Sequence, residues 1–180
     1  MRFGTFMAPF HRPARSWEWV ATGDVVVGNI GSDLRFNYSV LGDSVNVASR
    51  LEGQTKYYGV PVIIGSRTAE KAKEKFAILE IDLITVKGKT EPEAIYTVLG
   101  REEVAGDIRF QELRKVYSTM LQSYRSRDWE GALEALQTCQ AVEENFGLAA
   151  LFDLYSARIR AFSETAPPPD WNGVFVAETK

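Results

Sequence analysis

Apolar runs broken by glycine, proline and charged turns divide the first hundred residues into short strands and helices. The apolar stretch 24–32 predicts a buried strand, and residues 36–41 predict a second strand that returns beside it after a turn at 33–35. Further strands are expected at 61–64, 76–86 and 93–99, the last of which completes the sheet. The first part of the chain therefore reads as a sheet that contains a hairpin.

Two helices interrupt these strands. The first is expected over residues 44–58, with Asp43 as its N-cap and Gly59 at its end, because a carboxylate satisfies free N–H groups and glycine readily adopts the left-handed conformation. The second is expected over residues 67–75, with Ser66 as its cap and charged side chains on a solvated face. Strands interleaved with helices indicate an α+β fold with helices on one face of the sheet.

Beyond residue 107 the apolar positions recur at helical spacing. Three helices are predicted, the second of them capped by Asp128, and a run of prolines at 167–169 stops the third. An extended tail at 174–176 follows, either as a lid over the sheet or as a surface that binds a partner. The residues of the three apolar stripes are Phe110, Leu113, Tyr117, Leu121 and Tyr124, then Trp129, Ala132, Leu133, Leu136 and Cys139, then Leu148, Leu151, Tyr155, Ile159 and Phe162.

These patterns divide the chain into three regions. Residues 1–20 read as an irregular leader, residues 21–100 as the α+β domain, and residues 101–180 as a helical extension with a proline-rich tail. The polar link at 100–107 is the predicted boundary between the last two regions.

Composition narrows the class of protein. The net charge of -3 gives no electrostatic case for binding nucleic acid or an anionic membrane, and no apolar run approaches the roughly 20 residues that span a bilayer. The single cysteine, Cys139, excludes an internal disulfide, suits a reducing cytoplasm and falls on an apolar helical stripe, so it is expected to be a buried small side chain. No Cys/His spacing indicates a zinc site.

The chemistry is concentrated in the first helix. Asn46 and Arg50 lie four residues apart and leave the same helix face, where an amide can orient a sugar and a guanidinium can hold a phosphate. A capped surface helix with one polar stripe explains the same residues without a ligand. The Gly-Lys-Thr at 88–90 does not form a P-loop, because Leu83 stands where the loop needs glycine and Pro92 prevents the helix that must follow.

Four blocks of this sequence resemble class III adenylate/guanylate cyclases in order and spacing. The resemblance covers roughly residues 20–100, which correspond to the C-terminal part of that family's catalytic domain. The blocks are Gly-Asp-Val-Val-Val-Gly-Asn-Ile-Gly-Ser at 23–32, Tyr-Ser-Val-Leu-Gly-Asp-Ser-Val-Asn-Val-Ala-Ser-Arg-Leu-Glu at 38–52, Thr-Lys-Tyr-Tyr-Gly-Val-Pro at 55–61 and Val-Lys-Gly-Lys at 86–89.

The resemblance implies a partial ferredoxin-like cyclase sheet. It also implies an adenylate cyclase that serves intracellular signalling in a bacterium and converts ATP to 3′,5′-cyclic AMP and pyrophosphate. By this resemblance Asn46 would orient the ribose and Arg50 would stabilise charge on the α-phosphate. Lys87 would reach the outer phosphates, with Lys89 as a weaker candidate. Ser39 would help to read the base, favouring ATP over GTP. The family uses Mg or Mn and works as a dimer whose sites lie between two domains.

One departure from the family limits this expectation. The two metal-binding aspartates belong to the first half of the family's domain, and this chain has no counterpart for them; Asp24 does not match a metal position. The chain alone is therefore expected to have little or no activity, and to need a second copy or a complementary cyclase half. The alternative is a non-catalytic cyclase module that binds nucleotide or a protein partner. Because a sheet without its leading strands has an open edge, the isolated chain is also expected to associate or to be poorly soluble.

Overall fold

The computed structural model describes residues 18–32, 35–42, 45, 48, 53–86, 91–143 and 146–177. Seven strands and six helices have described bounds, and residues 45 and 48 are helical outside them. The strands are β1 Glu18–Val20, β2 Val26–Ser32, β3 Arg35–Leu41, β4 Val62–Gly65, β5 Phe76–Val86, β6 Glu93–Arg101 and β7 Phe175–Ala177. The helices are α1 Gln54–Tyr58, α2 Ser66–Ala72, α3 Glu102–Ala105, α4 Ile108–Arg125, α5 Trp129–Val142 and α6 Ala149–Glu164. Sheet and helices together confirm the predicted α+β class with a helical extension.

The main sheet has the strand order β1-β4-β6-β5-β7 and is mixed. Strand β4 runs parallel to β1 and antiparallel to β6, while β5 runs antiparallel to β6 and parallel to β7. Strands β2 and β3 pair with each other as a separate antiparallel hairpin, in which Val26 faces Leu41. The predicted hairpin is thus present, and its turn at 33–34 lies outside the described residues.

The hairpin is not buried as the sequence suggested. The side chain of Val26 is 70% exposed and that of Leu41 is 57% exposed, and Val25, Val27 and Val40 are also exposed. The expectation of a buried strand at 24–32 is therefore wrong for its described side chains at 24–27. A hydrophobic run predicts burial only when another layer covers it, and in the described structure no layer covers these valines.

Other boundaries differ from the sequence expectation. Helix α2 begins at Ser66 itself with Gly65 as its N-cap, and Ser66 Oγ instead donates to Glu93 Oε1 at 3.4 Å, so the predicted serine cap is wrong. The helix ends at Ala72, and residues 73–75 form a turn before β5. Strand β6 is longer than predicted, and β7 from the C-terminal tail, rather than β6, is the last strand of the sheet. The end of the supposed irregular leader forms β1.

The helical extension packs against the sheet and shares its core. Phe110, Leu113, Tyr117, Leu121 and Tyr124 are buried along α4, as the spacing predicted. Most of the predicted stripe residues of α5 and α6 are buried too, while Trp129, Leu133 and Phe162 are partly buried against the same core. Asp128 Oδ1 accepts from the N–H of Gly131 as the cap of α5. The shared core joins Tyr58 and Val60 at the end of α1 and the sheet residues Ile63, Leu79, Ile81, Ile84 and Ile95 to residues of the helical extension that include Leu113, Tyr117, Leu136, Leu151 and Tyr155.

The proline-rich tail is fixed to this helical layer. Trp171 lies edge-on to Tyr124 with ring centroids 5.3 Å apart, and its ring also packs against Phe162 and Trp129. From there the chain runs to β7 at the edge of β5. The tail therefore covers a sheet edge that would otherwise present unpaired backbone groups.

Candidate functional site

Ser39 is the one predicted site residue that the structure describes. It lies on β3 opposite Gly28 of β2 and is half-buried. Asn46, Arg50, Lys87 and the weaker candidate Lys89 lie outside the described residues, as does the predicted cap Asp43. The positions of these side chains relative to Ser39 therefore remain predictions, and the described geometry concerns the elements that flank them.

The turn between β3 and the following helix requires its glycine. A Cβ at Gly42 would lie 2.7 Å from the carbonyl oxygen of Asp24, which is closer than packed atoms approach. The N–H of Val45 donates to the carbonyl oxygen of Gly42 at 3.1 Å, and Val45 and Ala48 are helical. The predicted strand and glycine turn are thus present, and the helix is present at 45 and 48. A single continuous helix over residues 44–58 is wrong, because Gly53 is a turn residue and the N-cap of α1.

The far end of this helical segment is anchored in the core. Helix α1 ends at Gly59, which has φ +66°, so the predicted glycine stop is confirmed. Tyr58 is fully buried, and its hydroxyl donates to Asp82 Oδ2 of β5 at 2.6 Å. A buried side-chain hydrogen bond thereby connects the helical segment to the strand that leads towards Lys87.

Asp82 is the centre of a buried polar cluster that the sequence analysis did not predict. Its side chain is 1% exposed, and Arg158 of α6 donates from Nη1 to Asp82 Oδ2 at 2.7 Å. The N–H of Leu83 donates to Asp82 Oδ1 at 2.7 Å. Both carboxylate oxygens are therefore engaged, which is what a charge in a dry core requires.

A bulge in β5 places Asp82 in the core. Glu80 pairs with Tyr96 and Asp82 with Ile95, so Ile81 is an extra residue in the β5–β6 ladder. Such a residue is left out of the pairing, and the carbonyl oxygen of Ile81 instead accepts from the hydroxyls of Tyr117 and Tyr155 at 3.3 and 2.8 Å. Before the bulge the odd-numbered side chains of β5 are buried, and after it the even-numbered ones are, so Ile81 and Asp82 are both buried.

Arg158 is surrounded by aromatic rings as well as by its carboxylate. Its guanidinium carbon lies 4.1 Å from the ring centroid of Phe175 in β7 and 5.4 Å from that of Tyr57, and Nη2 donates to the Tyr57 hydroxyl at 3.1 Å. Tyr58 and Tyr155 complete the set of rings. Arginine suits this place because its planar group can stack and hydrogen-bond at once.

Burial and neighbouring charges raise the pKa values of three groups in this cluster. Burial raises the pKa of Tyr58 well above its usual value, and the neighbouring Asp82 carboxylate raises it further. Burial opposes the charge on Arg158, yet Asp82 together with Tyr58 and Tyr155 outweighs that effect, and the pKa of the guanidinium is raised. The pKa of Tyr155 is raised by the same two causes as that of Tyr58. These groups keep one protonation state at neutral pH, which suits a fixed structural cluster.

A signal for this cluster was present in the sequence. Asp82 interrupts the apolar run at 76–86, and Arg158 lies between the apolar positions Tyr155 and Ile159 of α6. A charged residue inside an apolar run on each of two segments indicates a buried ion pair, because a buried charge is otherwise too costly. The pairing itself needed the tertiary structure, since the two residues lie in different predicted regions.

A second ion pair on β5 lies next to two clefts. Arg125 of α4 donates from Nη2 to Glu80 Oε1 at 2.7 Å, at a half-exposed position. An open cleft of about 450 Å³ lies beside this pair, and Ser118, Gln122 and Ser126 contribute to its lining. A second cleft of about 270 Å³ lies between α2, β5 and α4. The described lining of both clefts contains none of the predicted nucleotide residues.

The described residues do not fit a Mg or Mn site. Within the described ranges no three histidine, cysteine, aspartate or glutamate side chains lie together. The two carboxylates of β5 are already committed, Asp82 to Arg158 and Tyr58, and Glu80 to Arg125. Among the helices of the described structure, none is long and apolar enough to cross a membrane.

Comparison with known proteins identifies the segment that holds the predicted site. The sequence profile of the adenylate and guanylate cyclase catalytic domain matches residues 20–100. Residues 20–100 therefore match the catalytic domain of class III adenylate/guanylate cyclases and form a cyclase-like module. The resemblance inferred from the four sequence blocks is confirmed.

Individual relatives agree with this assignment. The chain is 31% identical over 129 residues to the terminal-differentiation specific adenylate cyclase of Dictyostelium discoideum, covering 70% of this chain and 6% of that protein. It is 43% identical over 79 residues to the adenylate cyclase of Anabaena cylindrica, covering 42% of this chain and 16% of that protein. The chain thus spans a small fraction of the length of these relatives.

Solved cyclase structures are also matched at partial coverage. The adenylyl cyclase CyaB from P. aeruginosa is 34% identical in the aligned part, which covers 43% of this chain and 39% of that chain with a TM-score of 0.38.

Proposed function

We propose that this chain supplies the substrate-binding part of a class III adenylate cyclase and works with a partner that supplies the metal-binding part. In this proposal Asn46 orients the ribose, Arg50 stabilises charge on the α-phosphate, Lys87 binds the outer phosphates and Ser39 contacts the base. The observation that carries the proposal is the family match over residues 20–100, which includes all four positions.

The chemistry assigned to these residues follows from the charge of the reaction. The ribose 3′-oxygen attacks the α-phosphate and pyrophosphate leaves, so negative charge grows on phosphate oxygens in the transition state. Cationic groups held at those oxygens lower the barrier, and a guanidinium offers donors in a fixed fork. A Mg or Mn ion would activate the attacking oxygen, and we assign its aspartate ligands to the partner, which is a second copy or a complementary cyclase half.

ATP is the proposed substrate, in preference to GTP, because the hydroxyl of Ser39 can either donate to or accept from a purine edge. Cytoplasm is the proposed location, since ATP and the reduced state expected for Cys139 both belong there.

A non-catalytic module is the second candidate function. The exposed apolar side chains of Val26, Val27 and Leu41 favour it, because such a surface on a soluble domain commonly marks an interaction site. In this case the chain would bind a nucleotide or a protein partner without forming product.

The deciding experiment measures cyclic nucleotide formation by the purified chain. MnATP and MnGTP are supplied separately, first to the chain alone and then after addition of a cyclase half that contains the two aspartates, with Arg50→Ala as the control. We expect no product from the chain alone and cyclic AMP after complementation, lost in Arg50→Ala. Product from the chain alone would refute the need for a partner, and no product after complementation would favour the non-catalytic module.

The predicted association is tested separately by sedimentation velocity. We expect dimers or larger species, because the hairpin exposes apolar side chains. A monodisperse monomer at tens of micromolar would contradict the predicted association.

A further inference from the structure

Arg158 of the helical extension lies where three other elements meet. It forms an ion pair with Asp82 of β5 at 2.7 Å, donates to the Tyr57 hydroxyl of α1 at 3.1 Å and stacks on Phe175 of β7 at 4.1 Å. The guanidinium is nine-tenths buried, so these contacts exclude most competing water. One side chain of α6 therefore joins the tail and two elements of the cyclase module.

Those two elements are the ones that lead to the predicted nucleotide residues. Helix α1 follows the segment that contains Asn46 and Arg50, and β5 ends at Val86, directly before Lys87. Tyr58 adds a direct hydrogen bond between α1 and β5 at Asp82. Phosphate and ribose contacts on two separate segments must be held in a fixed relation for a nucleotide to bind both.

We propose that the helical extension holds these two segments in register through Arg158, which acts as a positioning residue that does not contact the nucleotide. This inference rests on the proposed function, because it concerns the same nucleotide residues. In this arrangement the extension supports the nucleotide site, and a change in α6 or in the tail alters nucleotide affinity.

The chemistry of the junction requires arginine rather than any cation. One nitrogen donates to Asp82 while another donates to Tyr57, and the flat face of the group lies against Phe175. A lysine ammonium is a single point donor without a flat face, so it can keep the charge at Asp82 but cannot hold all three elements. Arg158→Lys therefore separates the loss of positioning from the loss of a buried charge.

The chain contains a matched control for this test. Arg125 pairs with Glu80 on the same strand at the same 2.7 Å, and it too belongs to the helical extension. Among the described contacts, no hydrogen bond or ion pair joins Arg125 to α1. Arg125→Met thus removes an ion pair between the extension and β5 and leaves every contact of Arg158 in place.

The experiment compares hydrogen exchange and nucleotide binding in the full chain. The variants are Arg158→Lys, the charge-free double variant Arg158→Met with Asp82→Asn, and the control Arg125→Met; the double variant covers the case in which the single one does not fold. Exchange is followed in peptides from α1 and, as an internal reference, from α5. The nucleotide probe is a fluorescent ATP carrying a methylanthraniloyl group, with Mg²⁺.

We expect exchange in α1 to rise roughly tenfold in both Arg158 variants, which is about 1.4 kcal/mol of local opening, with α5 unchanged. Affinity for the fluorescent ATP should fall by a similar factor, while Arg125→Met should match the wild type in both measurements.

Two results would overturn the positioning role. One is unchanged exchange in α1 in the Arg158 variants, and the other is an equal loss of affinity in Arg125→Met. A wild-type chain that does not bind the fluorescent ATP even with the aspartate-containing cyclase half present would instead refute the proposed function. Exchange in α1 would still decide whether Arg158 couples the extension to that helix.

Discussion

We predict that Arg127 anchors the C-terminal tail to the helical layer. It occupies the turn between α4 and α5 with φ +65°, the left-handed region that a side chain rarely adopts. From there its Nη2 donates to the carbonyl oxygens of Pro168, Pro169 and Trp171 at 2.9, 2.8 and 2.9 Å. Its guanidinium carbon also lies 5.8 Å from the centroid of the Trp171 ring. The strained backbone therefore aims one side chain at the proline-rich segment.

The size of the effect follows from these contacts. One amino group has two hydrogens, so it can form at most two full bonds to the three carbonyls, at a net value of about 1 kcal/mol each in a partly exposed place. The contact with the Trp171 ring adds about 0.5–1 kcal/mol. Arg127→Ala is thus expected to lower the free energy of unfolding by about 2–3 kcal/mol. Arg127→Gly loses the same contacts but removes left-handed strain of about 1–2 kcal/mol, partly offset by the greater freedom of glycine in the unfolded chain.

The assay is urea unfolding followed by tryptophan fluorescence, because Trp129 and Trp171 both lie in the aromatic cluster beside the tail. We expect Arg127→Gly to be more stable than Arg127→Ala by about 0.5–1 kcal/mol, with both below the wild type. A change below about 0.5 kcal/mol in Arg127→Ala would refute the anchoring role. A glycine variant less stable than the alanine variant would refute the reasoning about strain.

Three further predictions concern the core. Burial raises the pKa of the Cys139 thiol to about 12, so at pH 8 the folded chain should react with iodoacetamide at least about a hundredfold more slowly than the chain in urea, and equal rates would contradict the burial. Burial raises the pKa of Tyr124 to about 12 and raises those of Tyr117 and Tyr155 well above their usual value. Because the unfolded chain then binds fewer protons at alkaline pH, the free energy of unfolding is unaffected below about pH 10. Above that pH it falls by up to about 1.4 kcal/mol per pH unit for each tyrosine. Urea unfolding at several alkaline pH values measures this, and a flat profile to pH 12 would exclude the effect. Gly59→Ala should lower the free energy of unfolding by at least about 2 kcal/mol, since Gly59 has φ +66° and a Cβ there would overlap Ala150 Cβ. Adding Ala150→Gly should restore part of this loss. Full stability of Gly59→Ala alone would show that α6 does not pack there.

The sequence alone determined the features that depend on neighbouring residues. Helical spacing located the buried stripes of α4, α5 and α6, since one face of a regular helix must be apolar to pack. Asp128 and Gly59 marked a helix start and a helix end, because capping and left-handed glycine are local requirements. The four motif blocks identified the cyclase module, which the family comparison confirmed over residues 20–100.

Only one of the predicted nucleotide residues lies in the described part of the chain. Ser39 is on its expected strand, and the roles of Asn46, Arg50 and Lys87 remain proposals that rest on the family match.

Only the tertiary structure decided the features that depend on distant residues. The alternation of β5 would put Asp82 on the same face as Glu80, but the bulge at Ile81 reverses the phase and buries the carboxylate against Arg158. The apolar residues of the hairpin read as buried, yet their exposure depends on whether another layer covers them. The tail read only as an extended segment, and it became β7 because the edge of β5 offered unpaired backbone groups. Pairing across long stretches of chain leaves little trace in local pattern, since a register shift of one residue exchanges the two faces of a strand.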